Sequence, residues 1–90
     1  MYNIVVHSLN NCVFCDKAKD LLKDKNLIFE EILYNKGTDT DSIMNLVEQT
    51  NWSSFPQIFV NDVFIGGYDQ LVEYEFDDGS MYFDETKISF

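Results

Sequence analysis

Apolar residues along this chain fall into short runs separated by polar punctuation. Ile4, Val5 and Val6 form a continuous apolar run, which suits a strand buried on both faces in the middle of a sheet and ending near His7 and Ser8. Phe14, Cys15, Ala18, Leu21 and Leu22 then recur at helical spacing, with lysines and aspartates opposite them. A helix is expected from about Cys12 to Lys25, with Asn10 and Asn11 offering cap side chains and Asn26 as a stop. Leu27 to Tyr34 is rich in β-branched and aromatic residues but is interrupted by Glu30 and Glu31, so it reads as a strand meeting solvent on one side or at an edge, parallel to the first. After the turn at Asn35-Lys36-Gly37, Thr38 to Asp41 has capping-box spacing. Ile43, Leu46, Val47 and Thr50 mark one face of a second helix that ends near Asn51.

Gln57 to Val60 and Val63 to Gly66 flank Asn61-Asp62, the length and chemistry of a two-residue hairpin turn with positive φ. Gly66-Gly67 breaks the second of these strands, and Asp69 is expected to cap a third helix running through Leu71, Val72, Glu75 and Phe76 to Asp77-Asp78-Gly79. The order strand, helix, strand, helix, hairpin, helix, with a right-handed parallel crossover, specifies an α/β chain of thioredoxin-like fold, a mixed four-stranded sheet flanked by three helices. Ninety residues supply one core, so 1–90 reads as a single domain, with 77–90 an unassigned acidic and aromatic C-terminal extension. Met44, Met81 and the aromatic hairpin read as core.

Composition narrows the function. A hydrophobic fraction of 46% with 16% aromatics excludes wholesale disorder. A net charge of -10, with no arginine, argues against a nucleic-acid or anionic-membrane partner. The charge is uneven: residues 1–36 hold five lysines and five acids, whereas 37–90 hold eleven acids and one lysine, Lys87. That acidic half reads as a solvated, solubilising face. The start lacks the pattern of a signal peptide and no apolar run approaches the ~18 residues of a membrane span, so a cytoplasmic protein is expected.

Two cysteines, Cys12 and Cys15, sit three apart. So close a pair cannot staple distant segments, and in a reducing compartment the spacing points to chemistry. Cys12 at the first turn of a helix faces unpaired backbone N–H groups and the positive end of the helix dipole, which favours a thiolate. Cys15, one turn further on the same face, can close a small disulfide ring while being less exposed. Cys12 is thus the attacking thiol and Cys15 the resolving one. Lowering the attacking thiol from a pKa of about 8.5 to about 6 raises its thiolate fraction roughly thirtyfold at neutral pH, and makes it a good leaving group. A zinc site needs about four ligands, and two cysteines with a lone His7 do not supply them, so no metal is expected.

Cys12-Val-Phe-Cys15-Asp-Lys-Ala-Lys, Phe55-Pro-Gln-Ile-Phe-Val60 and Ile65-Gly-Gly-Tyr-Asp69, in that order and spacing, resemble a glutaredoxin, most closely the small glutaredoxins of tailed bacteriophages. The similarity covers roughly Tyr2 to Phe76. It implies a thiol-disulfide oxidoreductase recharged by glutathione, acting as a monomer on protein disulfides or glutathione mixed disulfides, with ribonucleotide reductase as one client. It also implies a cis bond before Pro56 and a glutathione groove formed by Phe14, Phe55, Pro56, Gly67, Asp69 and Gln70. Phe14 replaces the family's usual tyrosine. Leu9 or a neighbour stands where many relatives carry the Lys or Arg that meets the glycine carboxylate. Gln70 stands where many carry an aspartate facing the γ-glutamyl ammonium, and the N–H groups of Asp69 and Gln70 would receive the γ-glutamyl carboxylate. The competing implication is a dimer that holds an iron-sulfur cluster through Cys12 and glutathione. Val13 leaves this open because many relatives have proline there.

Overall fold

The computed structural model describes residues 2–76. The expected extension at 77–90, and the stop for the last helix at Asp77-Asp78-Gly79, lie outside the described residues. Seven elements follow one another: β1 (Ile4–Leu9), α1 (Val13–Asp24), β2 (Phe29–Tyr34), α2 (Thr40–Thr50), β3 (Gln57–Val60), β4 (Val63–Gly66) and α3 (Tyr68–Glu73). The strands form one sheet in the order β2-β1-β3-β4. β1 runs parallel to β2, with Ile4 opposite Phe29, and antiparallel to β3, with Ile4 opposite Val60. Its continuous apolar run is therefore interior, while β2 lies at an edge, where Glu30 and Glu31 keep access to water. No helix among the described residues is long and apolar enough to cross a membrane.

Strand alternation sorts the side chains onto two faces. Ile4, Val6, Ile58 and Val60 point to one, where Ala18 and Leu22 of α1 and Leu71 of α3 close over them, every one at most 2% exposed. Each buried large aliphatic side chain contributes roughly 1.5–3 kcal/mol, and Ala18 adds no bulk to hold the helix off the sheet. The other face presents His7, Gln57 and Phe59. There Thr50 of α2 donates to the buried Gln57 Oε1 (2.8 Å), and Gln57 Nε2 donates to the Trp52 carbonyl (2.5 Å). Helices thus flank both faces.

That second face carries a run of ring contacts: Trp52 on Phe64, Phe64 on Phe59, Phe59 on His7, His7 on Tyr34 and Tyr34 on Phe55, with centroids 5.2–6.0 Å apart. His7 Nδ1 and Tyr34 Oη are 2.8 Å apart.

Several boundaries differ from the sequence reading, each for a local reason. Neither Asn10 nor Asn11 caps α1: Asn11 takes left-handed φ 57°, Asn10 Oδ1 accepts the Lys36 N–H (3.1 Å), and Cys12 is the N-cap. β2 starts at Phe29 rather than Leu27, because the Leu27 N–H is used by Leu22 O (3.0 Å) to finish α1. The capping box at Thr38 does not form; Asp39 is the N-cap, and its carboxylate accepts from Asn35 N–H (2.7 Å) instead of from α2. Gly67, not Asp69, is the N-cap of α3, which ends at Glu73. There the chain turns extended, and Tyr74 and Phe76 pack together (4.6 Å) with Phe76 edge-on to Tyr2 (5.0 Å), burying rings that a continued helix would have splayed apart. Met44 lies off the Ile43/Leu46 face of α2 and is 54% exposed, so it is not core. The stops at Asn26 and Asn51 (φ 59° and 55°) and the Asn61-Asp62 turn (φ 52° and 67°) hold, all on residue types that tolerate positive φ.

Burial holds the His7 pKa below 6.5, with Glu30 partly offsetting it. As pH falls the unfolded chain takes up this proton first, so His7's contribution is complete above about pH 6.5 and is lost as pH drops toward the folded value. Denaturant titrations across about pH 5–8 should show the wild type losing stability on the acid side relative to His7→Gln, which cannot titrate. Parallel profiles would show that His7 is not held neutral.

Candidate active site

The buried β1 delivers the chain to α1 through a tight left-handed step at Asn11. Cys12 then takes an extended backbone (φ -122°, ψ 106°), and its Sγ accepts the Cys15 N–H at 3.2 Å. An N-cap acceptor satisfies one of the helix's orphan donors, and a thiolate does so as a charge-assisted acceptor. Cys12 is half-buried, whereas Cys15 is 1% exposed under the α1 backbone. Their Cα atoms are 5.2 Å apart and their sulfurs are joined as a disulfide.

The loop before β3 faces this pair. The Phe55-Pro56 peptide is cis, as the resemblance implies, and Phe55 O lies 3.8 Å from Cys12 Sγ, within reach of the thiol proton in the reduced form. β4 closes the site from the other side. The pairing of β3 with β4 shifts register between Ile58 and Phe59, leaving Ile65 as the extra residue and Gly66 at φ 121°. A Cβ on Gly66 would sit 2.6 Å from Gln70 Cγ, so both the conformation and the space require glycine. Gly67 donates its N–H to Gln70 Oε1 (2.9 Å), half of a capping box for α3.

Phe14, Phe55, Pro56, Gly67, Asp69 and Gln70 line one groove beside Cys12. Two expected details change. Asp69 is free of the capping role, being the second residue of α3, and the Gln70 side-chain oxygen is committed to Gly67 N–H. Leu9 ends β1 and is not among the lining residues. Trp52, Ser54 and Tyr68 complete the walls, and the sequence reading did not single them out. Tyr68 lay inside the diglycine motif, which was a usable signal, and its ring meets Phe14 at 5.8 Å. Trp52 is held at the groove by the Gln57 side chain on its carbonyl and by its ring against Phe64 (5.6 Å), contacts with no local signature.

Tyr34 was also unmarked, yet it joins the two loops. Its carbonyl accepts the Asn10 N–H (3.1 Å) two residues before Cys12, and its ring packs on Phe55. Further along α1, Lys19 bridges Glu31 of β2 (2.7 Å) and Asp16 (3.6 Å). The hydrogen bond to Glu31 raises the Lys19 pKa above its usual value, and Lys19 in turn lowers that of Glu31. Among the described residues no group of three or more His, Cys, Asp or Glu is placed to hold a metal ion.

Comparison with known proteins agrees with this geometry. The glutaredoxin family model matches residues 4–65. Glutaredoxin 1 of Rickettsia prowazekii is 35% identical over 75 residues, covering 83% of this chain and 79% of its own. Glutaredoxin 3 of Escherichia coli is 30% identical over 71 residues, covering 79% and 83%. Among solved structures, wheat glutaredoxin superposes with a TM-score of 0.71 at 31% identity over 78% of this chain and 68% of that one. A buckwheat glutaredoxin-glutathione complex gives 0.72 at 26% identity over 80% and 66%. With a thioredoxin-like sheet, a Cys-Val-Phe-Cys pair at a helix start and a cis proline facing it, the chain belongs to the glutaredoxin family of thiol-disulfide oxidoreductases.

Proposed function

We propose that the chain is a glutathione-dependent dithiol-disulfide oxidoreductase in which Cys12 attacks and Cys15 resolves. The observation that carries this reading is the asymmetry of the pair: Cys12 Sγ sits half-exposed at the N-cap, opposite Phe55 O, while Cys15 is buried within disulfide reach. The Cys12 thiolate attacks one sulfur of a client disulfide, forming a Cys12 mixed disulfide and expelling the other client sulfur as a thiolate, which takes up a proton. The Cys15 sulfur, as thiolate, attacks Cys12 Sγ, closing the Cys12-Cys15 disulfide and releasing the second client thiol. Two glutathione thiols then reduce that disulfide, leaving one glutathione disulfide, so two electrons pass from glutathione to the client. Protein disulfides such as that of ribonucleotide reductase, and glutathione mixed disulfides, are the substrates in this reading, with the monomer working in the cytoplasm and resembling the small phage members.

The groove supports glutathione as the reductant through backbone and aromatic surface rather than cations. Phe14 and Tyr68 form an apolar wall, and the backbone before Pro56 offers an edge on which an extended cysteinyl peptide can pair.

Cys12→Ser should abolish exchange with every substrate, whereas Cys15→Ser should keep reduction of glutathione mixed disulfides and lose most reduction of intraprotein disulfides. Parallel assays on one substrate of each kind check this, and an active Cys12→Ser would sink the assignment. For the groove, Gln70→Ala removes the bond to Gly67 N–H, worth about 1 kcal/mol, and should raise the KM for glutathione about fivefold. Gln70→Glu keeps an acceptor at the same reach and should recover most of the loss. An unchanged KM in Gln70→Ala would separate the diglycine turn from glutathione binding.

A further inference from the structure

The two sides of the groove come from parts of the chain with different charge. One side is the start of α1, where Val13 (67% exposed) and Phe14 (52%) present apolar surface next to Cys12. The other is built from the loop at 52–56 and the start of α3, both within 37–76, a stretch with seven acids and no lysine or arginine. Asp69 is the one charged side chain among the described residues lining the groove. Glu73 follows four residues later, one turn along α3. On the α1 side, Asp16 stands in the first turn with its side chain 74% exposed.

The two lysines of α1 that follow Cys15 most closely in sequence, Lys17 and Lys19, are both held by neighbouring side chains. Lys19 is held between Glu31 and Asp16. Lys17 lies over the ring of Phe14, itself a wall of the groove (5.1 Å), and borders with Asp20 and Asp24 a shallow hollow that shares Tyr68 with the groove. A cysteinyl segment seated against Phe55 therefore has the Phe14 wall, with Lys17 over its ring, on one side and the carboxylate of Asp69, within a stretch that holds no lysine or arginine, on the other.

Resting on the exchange reading above, we propose that this groove selects client disulfides whose cysteine is flanked by Lys or Arg, on protein surfaces of positive potential, and discriminates against acidic flanks. Asp69 is the specificity-determining residue. Because these charges are solvent-exposed, the selection acts chiefly on encounter and is screened by salt, while the sulfur chemistry is the same for every flank.

The test uses three peptides, each with one intramolecular disulfide and differing only in a Lys, Gln or Glu beside the attacked cysteine. The rate of oxidation of the fully reduced protein by each is followed in single turnover. Exposed charge contacts support an order Lys, Gln, Glu spanning roughly tenfold at low ionic strength, shrinking to about twofold at ~0.5 M salt. Asp69→Asn should narrow the low-salt span to about threefold, while Glu48→Gln, which alters an exposed acid of α2, should leave it as in the wild type. Equal rates for the three peptides at low salt overturn the proposal while leaving the exchange reading intact. So does a preference that survives high salt unchanged, or a span that Asp69→Asn does not narrow. Failure to react with any of the peptides overturns the exchange reading and the proposal together.

Discussion

The hydrogen bond from Cys15 N–H to Cys12 Sγ is the contact around which the molecule is arranged. A helix start leaves several backbone donors without partners, and an oxygen from Ser, Thr, Asp or Asn is the usual remedy at the N-cap. Here a sulfur takes that place, so the atom that caps α1 is also the one proposed to attack. This works only if α1 cannot slide or tilt. Ala18 and Leu22, both fully buried against Ile4, Val6 and Ile58, fix the helix on the sheet one and two turns beyond the cysteines. The core lies directly beneath the chemistry.

The facing wall needs equal precision, and it is held by side chains of the opposite sheet face. Gln57 is fully buried and links α2, through Thr50, to the Trp52 carbonyl at the start of the loop. The ring contacts from Trp52 round to Phe55 pass through Phe64, Phe59, His7 and Tyr34, so both ends of the loop rest on one aromatic layer. Tyr34 adds the cross-tie, since its carbonyl holds Asn10 while its ring meets Phe55. An error in that layer would separate Phe55 O from Cys12 without touching either cysteine.

What was legible in the sequence was whatever depends on near neighbours. The apolar run at Ile4 to Val6 specifies an interior strand, the three-residue cysteine spacing places both sulfurs on one helix turn, and Asn61-Asp62 can only be a tight hairpin turn. The family resemblance carried by three motif blocks implied the six groove residues, Gln70 just beyond the third block, and the fold brings them together. What failed depends on competition between partners distant in sequence or on backbone geometry. Asp39 looked free to serve its helix but is used by Asn35, and Asp69 looked like a cap but stands two residues too late because Gly67 leaves the strand first. Leu27 reads as strand until Leu22 O claims its N–H. His7 and Tyr34 carry no motif at all, and their role appears only when parallel pairing of β1 with β2 brings them within 2.8 Å.

The dual use of Cys12 has a thermodynamic consequence. In the dithiol form the sulfur can be a thiolate, accepting the Cys15 N–H and the field of the helix start as a full charge, whereas in the disulfide it is a neutral and weak acceptor. The fold therefore stabilises the reduced state more than the oxidised one, which raises the reduction potential and makes the oxidised protein the more willing to accept electrons. A differential of about 1 kcal/mol corresponds to roughly 20 mV for a two-electron couple. Asp16, in the first turn with its side chain exposed, is a negative charge at the helix start that opposes a thiolate there, and it is paired in turn with Lys19. The cap donor is thus fixed by the core, whereas Asp16 and Lys19 are a surface ion pair on the same helix, so substitutions there change the charge along α1 without disturbing the packing that holds it in place.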